Sequence, residues 1–158
     1  MERIKSFTVD HMTLLPGIYV SREDCFTEKG ATLAVTTYDI RITRPNFEPV
    51  MGTGEIHTIE HLGATYLRNR ENIKEKVVYW GPMGCRTGFY LILSGKSDLS
   101  TVTSLMKELF TFTAEFEGDI PGASPVECGN YSDMDLSAAK CRAKGFLKVI
   151  GNGTEDKK

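Results

Sequence analysis

No stretch of this 158-residue chain approaches the ~20 consecutive apolar residues of a membrane-spanning helix. The opening "MERIKSFTVDHM" carries charge at Glu2, Arg3 and Lys5 with no apolar run of signal-peptide length behind it, so the expected location is cytoplasmic. Charge of one sign is lacking too. Nineteen Lys and Arg stand against 21 Asp and Glu, a balance that excludes a nucleic-acid surface or a polybasic membrane patch and favours a small neutral or zwitterionic partner. The four cysteines, Cys25, Cys85, Cys128 and Cys141, show no CxxC spacing. Without an export signal they read as thiols, and the sequons at Asn130 and Asn152 carry no weight. Repeats and linkers are absent as well. The length predicts one domain over residues 1–150, followed by "GNGTEDKK", 151–158, as a polar tail with no core to join.

What is present is a clear alternation of periods. Ala31 to Pro45, "ATLAVTTYDIRITRP", is rich in β-branched residues and closed by proline, which predicts a long strand. "KVVYW" (Lys76 to Trp80) and "TGFYLILSG" (Thr87 to Gly95) predict two more, bracketing "GPMGCR". Val102, Leu105, Met106, Leu109, Phe112 and Phe116 recur at helical spacing between Asp98 and Glu117, with Ser97 or Asp98 as cap and Gly118 as stop. Leu136, Ala139, Ala143, Phe146 and Leu147 predict a last helix after Asp133 or Asp135. A connection as short as "GPMGCR" cannot hold a parallel crossover. The expected fold is therefore α+β, a mainly antiparallel β-sheet packed by helices.

Histidine is scarce, three residues in all, yet "EIHTIEHL" places two of them and a glutamate together as His57, Glu60 and His61. Ile56, Ile59, Leu62 and Tyr66 form the apolar stripe of a helix running from about His57 toward Arg70. On it, His57 and His61 are i and i+4, so their imidazoles leave one face a turn apart and can share one ion. Glu60 projects beside them as a base for bound water or substrate. The bland reading is a pair of surface histidines. The spacing H-x-x-E-H is also that of a metallopeptidase class whose third ligand is a distant glutamate. Glu127 and Cys128, adjacent in "PVECGNY", both qualify as the third donor. A His2Cys set with an open fourth position suits Zn²⁺ or Fe²⁺, and if closed it would be merely structural.

Cys85 lies in "GPMGCRTG" among glycines and beside Arg86. Such a loop lets the backbone approach a ligand, and a nearby cation stabilises thiolate, so Cys85 is a candidate acid/base or nucleophile. A small buried residue in a tight turn is the plain alternative. Cys25 and Cys141 have no comparable surroundings.

Taken in order, "SFTVDH" (Ser6 to His11), "DIRITRPN" (Asp39 to Asn46), "IHTIEHL" (Ile56 to Leu62), "GPMGCRTGFYL" (Gly81 to Leu91) and "ECGNY" (Glu127 to Tyr131) span nearly the whole chain. In these segments it resembles the S-ribosylhomocysteine lyase (LuxS) family. The resemblance implies a metal-dependent carbon–sulfur lyase that cleaves S-ribosylhomocysteine to homocysteine and 4,5-dihydroxy-2,3-pentanedione, precursor of the autoinducer-2 signal. It implies that His57, His61 and Cys128 hold one Fe²⁺ per subunit, with Zn²⁺ or Co²⁺ as substitutes, and that Cys85 and Glu60 are the acid/base pair. It further implies that Ser6, His11 and Arg41 line the ribose pocket and that the sites form at a homodimer interface. The chain departs from the family at Tyr79, where many members carry an acidic residue near the homocysteine end of the substrate.

Overall fold

The computed structural model describes residues 7–151, so Ser6 and the tail beyond Gly151 lie outside the described residues. Four strands form one sheet: β1 (Gly17–Glu28), β2 (Ala31–Arg41), β3 (Val77–Pro82) and β4 (Gly88–Ser94). Their order is β1-β2-β4-β3, with every neighbouring pair antiparallel. Three helices, α1 (Thr53–Arg68), α2 (Leu99–Glu115) and α3 (Leu136–Gly151), complete an α+β fold, as the periodicities predict. Among the described residues, no helix is long and apolar enough to cross a membrane.

Alternation along the strands separates two faces of the sheet. Ile18, Tyr38, Ile40, Phe89, Leu91, Leu93 and Trp80 point into the core with Ile59, Leu67, Met106, Phe110 and Phe146 from the helices. Each large apolar side chain removed from water in this way contributes about 1.5–3 kcal/mol. The opposite face carries Tyr19, Asp39 and Tyr90 in one row, since Asp39 is the register partner of both tyrosines, and Arg41 in the next row. Arg41 on that face belongs to the second cluster described below.

The sequence reading missed β1. Only Gly17 and Ile18 are buried among its twelve residues, so the strand has no apolar alternation to betray it. Its hairpin with β2 extends past the core and closes through Lys29 (φ 49°) and Gly30 (φ 83°), two consecutive left-handed residues that match the right-handed twist of paired strands.

Helix α1 also starts a turn earlier than its apolar stripe suggests. The Glu55 carboxylate accepts the Gly52 amide at 3.1 Å and pairs with Arg142 of α3, which holds the first turn in place. At α3, Asp135 Oδ1 accepts the Ala138 amide at 2.9 Å, a side-chain cap on the helix start. α1 packs against β3 at Gly63, where an added Cβ would lie 2.4 Å from Trp80 Nε1. Only glycine permits that approach of helix to indole. This contact and the α1–α3 ion pair set the helix on which the two histidines stand.

Candidate active site

His57 and His61 stand one turn apart on α1, their ring centroids 4.7 Å apart. Cys128 comes from the long loop between α2 and α3, and the donor atoms of His57, His61 and Cys128 all lie within 4.8 Å of one another. The loop does more than deliver the thiol. Its carbonyls at Asp133 and Pro121 lie 2.9 Å and 2.8 Å from Nδ1 of His57 and His61 respectively. A carbonyl can only accept, so each imidazole has a proton on Nδ1, and Nε2 is the ring nitrogen left for the cluster. Gly122, at φ 73°, supports this arrangement, because a Cβ there would stand 3.1 Å from His61 Nδ1.

The same loop separates the two candidates for the third donor. Glu127 is exposed and its carboxylate accepts the Ser124 hydroxyl at 2.6 Å, whereas Cys128 Sγ lies 3.4 Å from His57 Nε2 and accepts the Asn130 amide at 3.5 Å. Two imidazoles and one sulfur form a borderline donor set that fits Zn²⁺ or Fe²⁺. No further His, Cys, Asp or Glu joins the cluster among the described residues. The peptidase alternative, which needs a distant glutamate in that position, finds none there. Glu60 lies between the two histidines, partly buried, with no hydrogen bond or ion pair among the described residues.

A second cluster forms where the β3–β4 turn meets β2. Arg41 is 2% exposed and grips Asp39 with two bonds, Nε to Oδ1 at 3.1 Å and Nη2 to Oδ2 at 2.6 Å. Its Nη1 donates to Thr87 Oγ1 at 2.5 Å and approaches Cys85 Sγ at 3.8 Å. Thr87 Oγ1 is 3.0 Å from the same sulfur. Burial pushes the Cys85 thiol up, but the Thr87 hydroxyl and amide and the Arg41 charge outweigh it and hold the pKa below the ordinary thiol value. Burial works against the Arg41 cation in turn, and the Asp39 carboxylate overcomes it.

The β3–β4 turn is built for this display. Arg86 adopts φ 57°, a conformation few non-glycine residues take, and its carbonyl accepts the Met51 amide at 3.0 Å. Cys85 stays exposed while Thr87, two residues on, is buried beside Arg41.

Among the described residues, no hydrogen bond or ion pair joins the histidine cluster to the Cys85 cluster. His11 belongs to neither by such a bond; its Nδ1 lies 3.0 Å from the Val9 carbonyl in the N-terminal turn. Ser6 lies outside the described residues. Tyr79 is exposed on β3, its hydroxyl against Gly81, where a Cβ would come within 2.1 Å. Sequence reasoning did not single out Asp39, Thr87 or the carbonyls of Pro121 and Asp133. The spacing Asp39-x-Arg41, two side chains on one face of a strand, was the available signal for the first; Thr87 lies in the β3–β4 turn, where no such period applies.

Comparison with known proteins agrees with these features. The profile of the S-ribosylhomocysteinase (LuxS) family matches residues 4–156. The S-ribosylhomocysteine lyase of Clostridium acetobutylicum is 54% identical over 157 residues, covering 99% of this chain and 97% of that protein. That of Clostridium beijerinckii is 59% identical over 150 residues, 95% of this chain and 92% of that protein. That of Phocaeicola vulgatus is 52% identical over 157 residues, with 99% and 95% covered.

Proposed function

The chain belongs to the S-ribosylhomocysteine lyase (LuxS) family, carbon–sulfur lyases, and from that premise we propose that it cleaves S-ribosylhomocysteine to homocysteine and 4,5-dihydroxy-2,3-pentanedione. The observation that carries the reading is the donor set of His57, His61 and Cys128, with both imidazoles locked by loop carbonyls so that their Nε2 atoms converge. That set would hold one Fe²⁺ per subunit, which Zn²⁺ or Co²⁺ can replace. When bound, such an ion supplies Lewis acidity to the carbonyl and hydroxyl oxygens of the opened sugar.

The chain's own groups then move protons. The carbon–sulfur bond at C5 breaks only when a carbonyl at C3 has made the C4 proton acidic, so the carbonyl must first migrate from C1 through C2. Each migration takes a proton from one carbon and returns it to its neighbour. Cys85, held low by Thr87 and Arg41, is the group suited to take them, and Glu60, unpartnered between the histidines, suits transfer among the oxygens. In the last step a base removes the C4 proton, the C4–C5 double bond forms, and the sulfur leaves with the C5–S electron pair to be protonated as homocysteine. The remaining enol becomes the dione that precedes autoinducer-2.

Ser6, His11 and Arg41 complete the ribose pocket in this reading. Arg41 takes part mainly through Cys85, since most of its donors are already engaged. A homodimer with interface sites is supported by the exposed apolar side chains Phe7, Val9, Met12, Leu15, Phe26 and Leu33 along the N-terminal segment and hairpin. A partner copy would also account for proton-transfer and metal clusters that no bond joins within one chain. The absence of a membrane-crossing helix among the described residues accords with cytoplasmic work on a small soluble substrate.

The test is anaerobic incubation of Fe²⁺- or Co²⁺-loaded protein with S-ribosylhomocysteine, following free thiol with a chromogenic disulfide. Release is expected from the wild type and lost in His57→Ala. A loaded protein with reduced Cys85 that releases no thiol would overturn the reading.

A further inference from the structure

We propose that Thr87 is a positioning residue for Cys85, its hydroxyl fixed as an acceptor by Arg41 so that its one hydrogen is presented to the Cys85 sulfur. The inference rests on the reading of Cys85 as a proton-transfer group and deepens it. Arg41 Nη1 donates to Thr87 Oγ1 at 2.5 Å, and a guanidinium has no lone pair with which to accept in return. The hydroxyl hydrogen is therefore free for another acceptor, and Cys85 Sγ stands 3.0 Å away. A protonated sulfur needs no such donor, whereas a thiolate gains one charge-assisted bond from it.

The geometry makes the contact directional. Arg41 Nη1 is 3.8 Å from the sulfur, a long contact, while the same nitrogen is close to Thr87. The cation thus acts on the sulfur both directly, at long range, and through the hydroxyl it polarises. Arg41 is itself held by two bonds to Asp39 and is 2% exposed, so it cannot swing toward the sulfur in place of the hydroxyl. Thr87 is 4% exposed, and competing water is kept from its hydroxyl. Among the described residues, the other charged or titratable groups around this cluster are Asp39 of β2, Tyr90 of β4, and Tyr19 and Arg22 of β1, besides Arg41. Neither Asp39 nor Tyr90 is hydrogen-bonded to the sulfur.

The experiment follows the pH dependence of Cys85 alkylation by iodoacetamide in the whole protein, read on the Cys85 peptide by mass spectrometry so that the other three cysteines do not interfere. In Thr87→Val, close in shape and lacking the hydroxyl, the midpoint is expected to rise by about one pH unit, making alkylation about tenfold slower below both midpoints. Thr87→Ala should follow Thr87→Val, and Thr87→Ser, which restores the hydroxyl, should keep the wild-type midpoint. Should Thr87→Val fail to fold, the contrast between alanine and serine decides. An unmoved midpoint in the folded hydroxyl-free variants would overturn the proposal, as would a serine variant displaced as far as alanine. Alkylation needs no turnover, so a wild type that releases no thiol from S-ribosylhomocysteine would count against the lyase reading and leave this measurement intact.

Discussion

Asp39 and Arg41 show how a strand can bury opposite charges two residues apart: both side chains leave the same face of β2, and each answers the other with two hydrogen bonds. Removing one partner leaves a buried charge uncompensated. Asp39→Ala is expected to cost about 3–5 kcal/mol in urea unfolding. Beside them, Cys85 has its thiol pKa lowered in the folded state. Its thiolate therefore adds stability above the unfolded thiol pKa, and that contribution is lost as pH falls through the folded value. For turnover, kcat/KM should decline on the acid side with a midpoint below the ordinary thiol value of about 8.5, read from a pH–rate profile. His57, Glu60, His61 and Cys85 were singled out as candidates from spacing and neighbours. Asp39 and Thr87 were not, because a carboxylate or a hydroxyl acquires a role only when folding fixes its partner.

At the scale of elements, α1 carries the histidines, and its seat on the sheet depends on a missing side chain. A methyl at Gly63 would meet the Trp80 indole at 2.4 Å. Gly63→Ala should therefore lose about 1–3 kcal/mol to overpacking, against a gain of roughly 0.5–1 kcal/mol in helix propensity. A lower denaturation midpoint with weaker metal retention is the expected result, and a stabilised protein with unchanged metal content would contradict it. The helices were legible because an apolar period of 3.6 reflects which face meets the core, and β2 to β4 because they are β-branched or apolar runs bounded by proline and glycine. β1 was invisible by the same logic, since ten of its twelve residues are not buried and left no pattern to read.

The whole molecule joins a rigid helix to an irregular loop through one donor cluster, with Cys128, Pro121 and Asp133 all on the segment between α2 and α3. An ion bound there would favour the folded state by mass action, about 2.7 kcal/mol at a hundredfold excess over Kd. Chelation should accordingly lower Tm by several degrees and raise amide exchange in residues 117–135 more than in the sheet; His57→Ala should show the same pattern without chelator. By itself the sequence determined the elements with a core face, the i,i+4 histidine pair and the family resemblance, because these are local patterns or ordered strings of residues. Between Glu127 and Cys128 the spacing alone did not choose, and it was the family resemblance that pointed to Cys128; the imidazole tautomers and the place of Thr87 between Arg41 and Cys85 lay beyond the sequence. Those depend on contacts across 44 to 76 residues of chain, and only the packed fold sets which lone pair or proton faces which.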